Sequence, residues 1–173
     1  MRWLIVLSIT LAAANGCSDQ GKGERIPTQK QVNKSMEDVN RQMMLEEDAV
    51  IEGYIERRGW NMTKTGTGVH YEVISSGPEG PTAKEGQVAV VTYEVSLIDG
   101  EVVYSSEKEG QRSFLIGQDN VESGIHEAIT YLKKGDKARI ILPSYRAHGL
   151  SGDNDKIPPR STVIYELELI DVR

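Results

Sequence analysis

Residues 88–97 read VAVVTYEVSL. From Val91 on the stretch alternates: Val91, Tyr93, Val95 and Leu97 fall on one face, Thr92, Glu94 and Ser96 on the other. A period of two with one apolar side marks a strand that buries one face and wets the other. Tyr93 is therefore expected to turn inward among aliphatic side chains, carrying a hydroxyl that needs a partner. An inward tyrosine on a sheet is either plain core or one wall of an apolar pocket.

Working outward from this strand, Ile98-Asp99-Gly100-Glu101 has the chemistry of a tight turn, and residues 101–105 can return as a second strand. A charged loop is expected over 107–112 and a short strand over 113–116, closed by Gly117. Residues 121–132 place Val121, Ile125, Ala128, Ile129 and Leu132 on one side, which predicts a short amphipathic helix. Lys133, Lys134 and Gly135 suit its end. Residues 137–142 alternate again, with Ala138, Ile140 and Leu142 on one face. A long loop rich in Gly, Asp, Asn and Pro follows. The last strand, over 162–172, turns Val163, Tyr165, Leu167 and Leu169 one way and Glu166 and Glu168 the other. Upstream, 69–74 alternates as a strand, and SSGPEGPT over 75–82 is a loop. About five antiparallel strands with one short helix predict an α+β fold, the helix lying on the apolar face of the sheet.

The N-terminal third reads differently. Arg2 precedes an apolar run from Trp3 to Ala14, too short to span a bilayer, and then comes Cys17, the chain's one cysteine. This resembles a bacterial lipoprotein leader, with Ala14 where a leucine is usual. The expectation is a signal peptide over 1–16 and lipidation of Cys17. A polar stretch over 17–34 is expected to be a flexible tether. Met36, Val39, Met43, Val50 and Tyr54, widened by Ile51 and Ile55, predict a helix over 35–58. Ser35 and Asp38 would cap it, Gly53 would weaken it and Gly59 would end it. The stripe is too irregular for a heptad seam, so docking on the domain and a monomer are expected. Helix and connector make up 35–67, and the folded domain 68–173.

The net charge of −6 and the absence of a basic stripe argue against nucleic acid as a partner. Standard catalytic sets are missing. His126-Glu127 opens like a zinc helix motif, but Thr130 stands where the second histidine belongs. Asp153-Asn154-Asp155 opens like a calcium loop without its glycine and distal glutamate, and is expected to be an Asx turn. No metal or cofactor is expected. The chain reads as a binder, or as an enzyme that needs neither nucleophile nor metal.

Residues 86–173 resemble an FKBP-type peptidyl-prolyl isomerase. The matching pieces run in order: Gly86 with VVTY, Asp99-Gly100, Ser105-Ser106, Phe114 with Gly117, Gly124, Lys134-Gly135-Asp136, Ala147-His148-Gly149, Ile157-Pro158-Pro159 and Glu168-Leu169. YSSE and GDNDKIPP resemble the gliding-motility-associated isomerases of Bacteroidetes-type bacteria. The resemblance implies a curved antiparallel sheet wrapped around one short helix, with a pocket between them. It implies Tyr93 and His148 as catalytic residues that steer the substrate. Val103, Tyr104, Val121, Glu122, Ile125, Ile157 and Tyr165 would bind it. Prolyl-containing protein clients follow, met by an exported, lipid-anchored protein, with Ser18 compatible with onward sorting to the outer membrane facing the periplasm.

The site departs from the family pattern. Ile125 stands where a tryptophan usually floors the pocket, Val103-Tyr104 where an aromatic precedes Asp, and His148 where a tyrosine is usual. Arg112 lies near a position that is commonly aromatic. Weaker turnover and weaker macrolide binding than in aromatic-rich members are expected. A second reading keeps the fold as an anchored chaperone or interaction module.

Overall fold

The computed structural model describes residues 28–173. Cys17, the leader and most of the expected tether lie outside the described residues.

The first element is a 30-residue helix, α1, spanning Gln29–Arg58. It begins inside the stretch expected to be tether, so that expectation is corrected for residues 29–34. The start is fixed by Thr28 and Gln31, which cap one another reciprocally. A cap can start a helix whose first turns carry no apolar pattern, which is why the hydrophobic stripe, with Ser35 and Asp38 read as its cap, placed the start too late. Ser35 and Asp38 lie well inside the helix, and Gly53 does not interrupt it. Gly59 ends it in the left-handed conformation, at φ 65°.

The strands are β1 (Thr63–Lys64), β2 (His70–Ser75), β3 (Val88–Leu97), β4 (Val102–Ser105), β5 (Arg112–Leu115), β6 (Lys137–Leu142) and β7 (Val163–Val172). They form one antiparallel sheet in the order β1-β2-β6-β7-β3-β4, with β5 also on β3. Seven strands stand where about five were expected. The two-residue β1 accounts for part of the difference, pairing with β2 inside the expected connector. Two short helices complete the fold: α2 (Ser106–Glu109), within the expected charged loop, and α3 (Ser123–Ile129). Helix α3 is shorter than its apolar pattern, and Val121 precedes it. One turn of 3-10 helix spans Ser144–Arg146.

The sheet is apolar on both faces. One side carries the main core, where Val91, Val95, Ile140, Leu142, Val163 and Leu169 pack with Ile125, Ala128 and Ile129 of α3. The other side buries Ile141 and Ile164 under Ile51, Tyr54 and Ile55 of α1, with Trp60 and Met62. Helix α1 therefore docks through its C-terminal end on the sheet face opposite α3. Its earlier apolar residues stay exposed: Met36, Val39, Met44, Leu45 and Val50.

Candidate functional site

The site opens at a break in the edge of β3. One edge of β3 pairs with β7 along its length; the other is shared by β5 at Val88–Val91 and β4 at Glu94–Ser96. Between the two, the Tyr93 N–H has no strand to pair with and donates to Ser106 Oγ of α2 at 2.7 Å. A buried N–H must be satisfied by something, and here one serine lets the sheet edge part.

Polar contacts of three tyrosines and a histidine shape the opening. The Tyr93 hydroxyl donates to Glu109 Oε2 at 2.9 Å. Its ring centroid lies 6.4 Å from that of Tyr165, tilted by 50°. The Tyr165 hydroxyl donates to Glu122 Oε1 at 2.9 Å. His148 Nε2 lies 2.9 Å from the same oxygen but is not aligned to hydrogen-bond it. Tyr104 donates to Asp153, and more loosely to Asp155 Oδ2 at 3.2 Å. Asp153 in turn accepts the N–H groups of Asp155 and Ile157 at 2.9 and 2.8 Å, which is the expected Asx turn.

Burial, and then Glu122, push the Tyr165 phenol well above its ordinary range, so it remains a donor. Burial, and then the bond to Glu109, push Tyr93 up as well. The bond to Asp153 is the main cause that raises Tyr104.

The resulting cleft has a volume of about 620 Å³ and includes Tyr93, Tyr104, Val121, Glu122, His148 and Tyr165 in its walls. Six of the nine expected site residues therefore come together. Ile125 does not reach the open cleft. It lines a void of about 10 Å³ beneath it, with Val91, Phe114 and Leu167; such a space is about the minimum for a single water. Val103 and Ile157 are 6% and 3% exposed members of the core and line neither space. The inward Tyr93 is thus a wall and not plain core, while the floor below it is filled. Glu109, Asn120, Ser123, Ala147, Gly152, Asp153 and Asn154 also face the cleft, together with Arg112. Sequence reading left Glu109 in a charged loop and gave Asp153 only its Asx turn, without a place in the cleft.

Other candidate groups have structural partners. His126 Nδ1 accepts from the Gly117 N–H at 2.9 Å, leaving Nε2–H for the Asp119 carbonyl at 2.9 Å. Asp48, Glu52 and His70 are close enough to share a metal. Lys64 Nζ already bridges the two carboxylates, at 2.7 Å from Asp48 Oδ2 and 3.1 Å from Glu52 Oε1, so an ammonium holds the cation position. A second groove of about 510 Å³ runs between α1 and residues 144–162 and shares no residue with the cleft. Among the described residues no helix is long and apolar enough to cross a membrane.

Comparison with known proteins agrees with this geometry. Residues 80–170 match the family model described as FKBP-type peptidyl-prolyl cis-trans isomerase. The chain is 36% identical over 108 residues to the FKBP-type peptidyl-prolyl cis-trans isomerase FkpA of Escherichia coli K12, covering 62% of this chain and 38% of that one. It is 33% identical over 116 residues to a probable FKBP-type isomerase of Haemophilus influenzae, covering 66% and 47%. The matched part is thus less than half of either relative's length. Among solved structures, E. coli FkpA superposes with a TM-score of 0.62 at 26% identity, over 85% of this chain and 74% of that one. A peptidyl-prolyl cis-trans isomerase from Pseudomonas syringae pv. tomato gives 0.64 at 26% identity, over 76% and 94%. The fold and the cleft define an FKBP-like protein, and the chain belongs to the FKBP-type peptidyl-prolyl cis-trans isomerase family.

Proposed function

We propose that the protein is a peptidyl-prolyl cis-trans isomerase whose substrates are prolyl segments of exported or envelope proteins. The observation that carries this reading is the cleft of about 620 Å³ walled by Tyr93, Val121 and Tyr165, on a chain of this family. Prolyl rotation needs no nucleophile and no metal. Its barrier of about 20 kcal/mol comes from the resonance that keeps the amide planar. A twisted amide is less polar than a planar one, so the apolar parts of an otherwise polar lining, Val121 and the rings of Tyr93 and Tyr165, favour the twisted form where they strip water from the bond. Tyr93 and His148 steer the substrate carbonyl and ring. Tyr104, Val121, Glu122 and Tyr165 hold the flanking chain. Val103, Ile125 and Ile157 support these walls from the core. The leader-like N-terminus and Cys17 support export and lipid anchoring, with the outer membrane as the site.

The void of about 10 Å³ at Ile125 favours a second reading. A pyrrolidine ring cannot sink to that depth, so the substrate sits higher and less enclosed. Turnover is then low, and the domain acts chiefly as a chaperone or interaction module.

A protease-coupled assay of the full chain on a short prolyl peptide tests both. Turnover that drops in Tyr93→Phe and His148→Ala supports the enzyme. Chaperone activity that survives in those variants without turnover supports the second reading, and a folded protein with no turnover at all overturns the first.

A further inference from the structure

Resting on the isomerase reading, we propose that the cleft selects prolyl segments with a cationic side chain, lysine or arginine, beside the proline. Glu122 is the residue that receives it.

The first observation is an unmet acceptor. The Glu122 side chain is 8% exposed. Its Oε1 is held by the Tyr165 hydroxyl and lies beside His148, while Oε2 is buried with no partner. Buried polar atoms are nearly always paired, and a desolvated carboxylate oxygen without a donor is costly. The residue lines the open cleft, and its unpartnered oxygen lies buried directly beneath that surface. The Tyr165 hydroxyl fixes the carboxylate through Oε1 and leaves Oε2 without a donor.

The second observation is the charge around it. Glu109 and Asp153 also line the cleft, and their partners are tyrosine hydroxyls and backbone N–H groups. Neither forms an ion pair with lysine or arginine among the described residues. Arg112 is the one guanidinium in the lining, and its Nη2 donates to the Asn120 carbonyl at 3.2 Å. Lys156 is near, but its ammonium lies over the Tyr104 ring, 4.4 Å from the centroid. A walled cleft with three carboxylates concentrates field on an entering cation. A substrate N–H could satisfy the bare oxygen, yet it would leave the excess negative charge in place. An ammonium or guanidinium answers both, through a charge-assisted bond.

The test uses the full chain and four peptides that differ only in the residue before proline: Lys, Arg, Leu or Glu. The expected kcat/KM is about tenfold higher for Lys and Arg than for Leu, in line with hydrogen bonds to charged groups, and lowest for Glu. Added salt should shrink that spread. In Glu122→Gln the ratio of Lys to Leu should fall toward one, with the Leu peptide serving as the variant's own reference. If that variant does not fold, the unmodified protein's peptide ranking and its salt dependence still decide. Equal turnover of Lys, Leu and Glu peptides overturns the cation preference and leaves the isomerase reading standing. If no peptide is turned over, the isomerase reading fails. Equilibrium binding of the same four peptides then decides the preference alone: tighter binding of Lys and Arg upholds it, and equal binding overturns it.

Discussion

Ser144 is held by Glu47. Its backbone N–H and its hydroxyl both donate to that carboxylate, at 2.6 and 2.8 Å. Thr162 adds a third hydrogen bond to Glu47 Oε1 at 2.7 Å. One helix residue thus grips both ends of the long loop that carries His148 and Asp153. Glu47→Ala removes the acceptor for three donors and should cost about 2–4 kcal/mol. Glu47→Gln keeps one acceptor oxygen and should cost about 1 kcal/mol. Urea unfolding followed by tryptophan fluorescence reads this, because Trp60 packs beside α1. Equal midpoints for Glu47→Ala and the unmodified protein would show that the grip is idle.

Asp153 makes stability depend on acid. Burial raises its pKa, but the bonds from Tyr104, Asp155 and Ile157 outweigh that and hold it below the ordinary 3.8. A lowered folded value means stability that is fully present above 3.8 and lost as pH falls through the folded value. Thermal melts between pH 7 and pH 2 should show this acid-side loss, and Asp153→Asn should flatten part of it. A variant with the same acid slope as the unmodified protein would remove Asp153 as the cause.

Ile125→Trp tests whether the floor has spare room. The void beside Ile125 is about 10 Å³, and the residue is 2% exposed. A tryptophan there must push Val91, Phe114 or Leu167 aside. The substitution should destabilise by about 1–3 kcal/mol and should not raise turnover. A variant that is as stable and faster would mean that the floor yields easily and that the missing tryptophan alone limits the rate.

Much of the fold was legible because one face of each main strand keeps a period of two. Val88–Leu97 and Lys137–Leu142 form as expected, residue for residue, since the face packed on the main core stays apolar at every second position. The start of α1 was not legible from apolar spacing, because it depends on a polar pair, Thr28 and Gln31. Docking of α1 was expected, but the partners were hidden: Ile141 and Ile164 look like breaks in alternation until a second layer covers them. At the site, period two turned Tyr93 and Tyr165 inward correctly. The family resemblance that placed Val103 and Ile157 in the pocket could not separate these core residues from true walls. Whether a buried side chain borders space depends on what lies opposite, and that comes from distant chain. Glu109 escaped notice for a related reason, since its role is set by a break in strand pairing 16 residues earlier in the chain.

The segment between Ser144 and Thr162 is a partition with a chamber on each side. Tyr145, Leu150 and Arg160 face the groove beside α1; Ala147, His148 and Asp153 face the cleft. Ser144, Thr162 and Glu47 itself line the groove as well, so the one carboxylate that borders the first chamber also anchors the wall of the second.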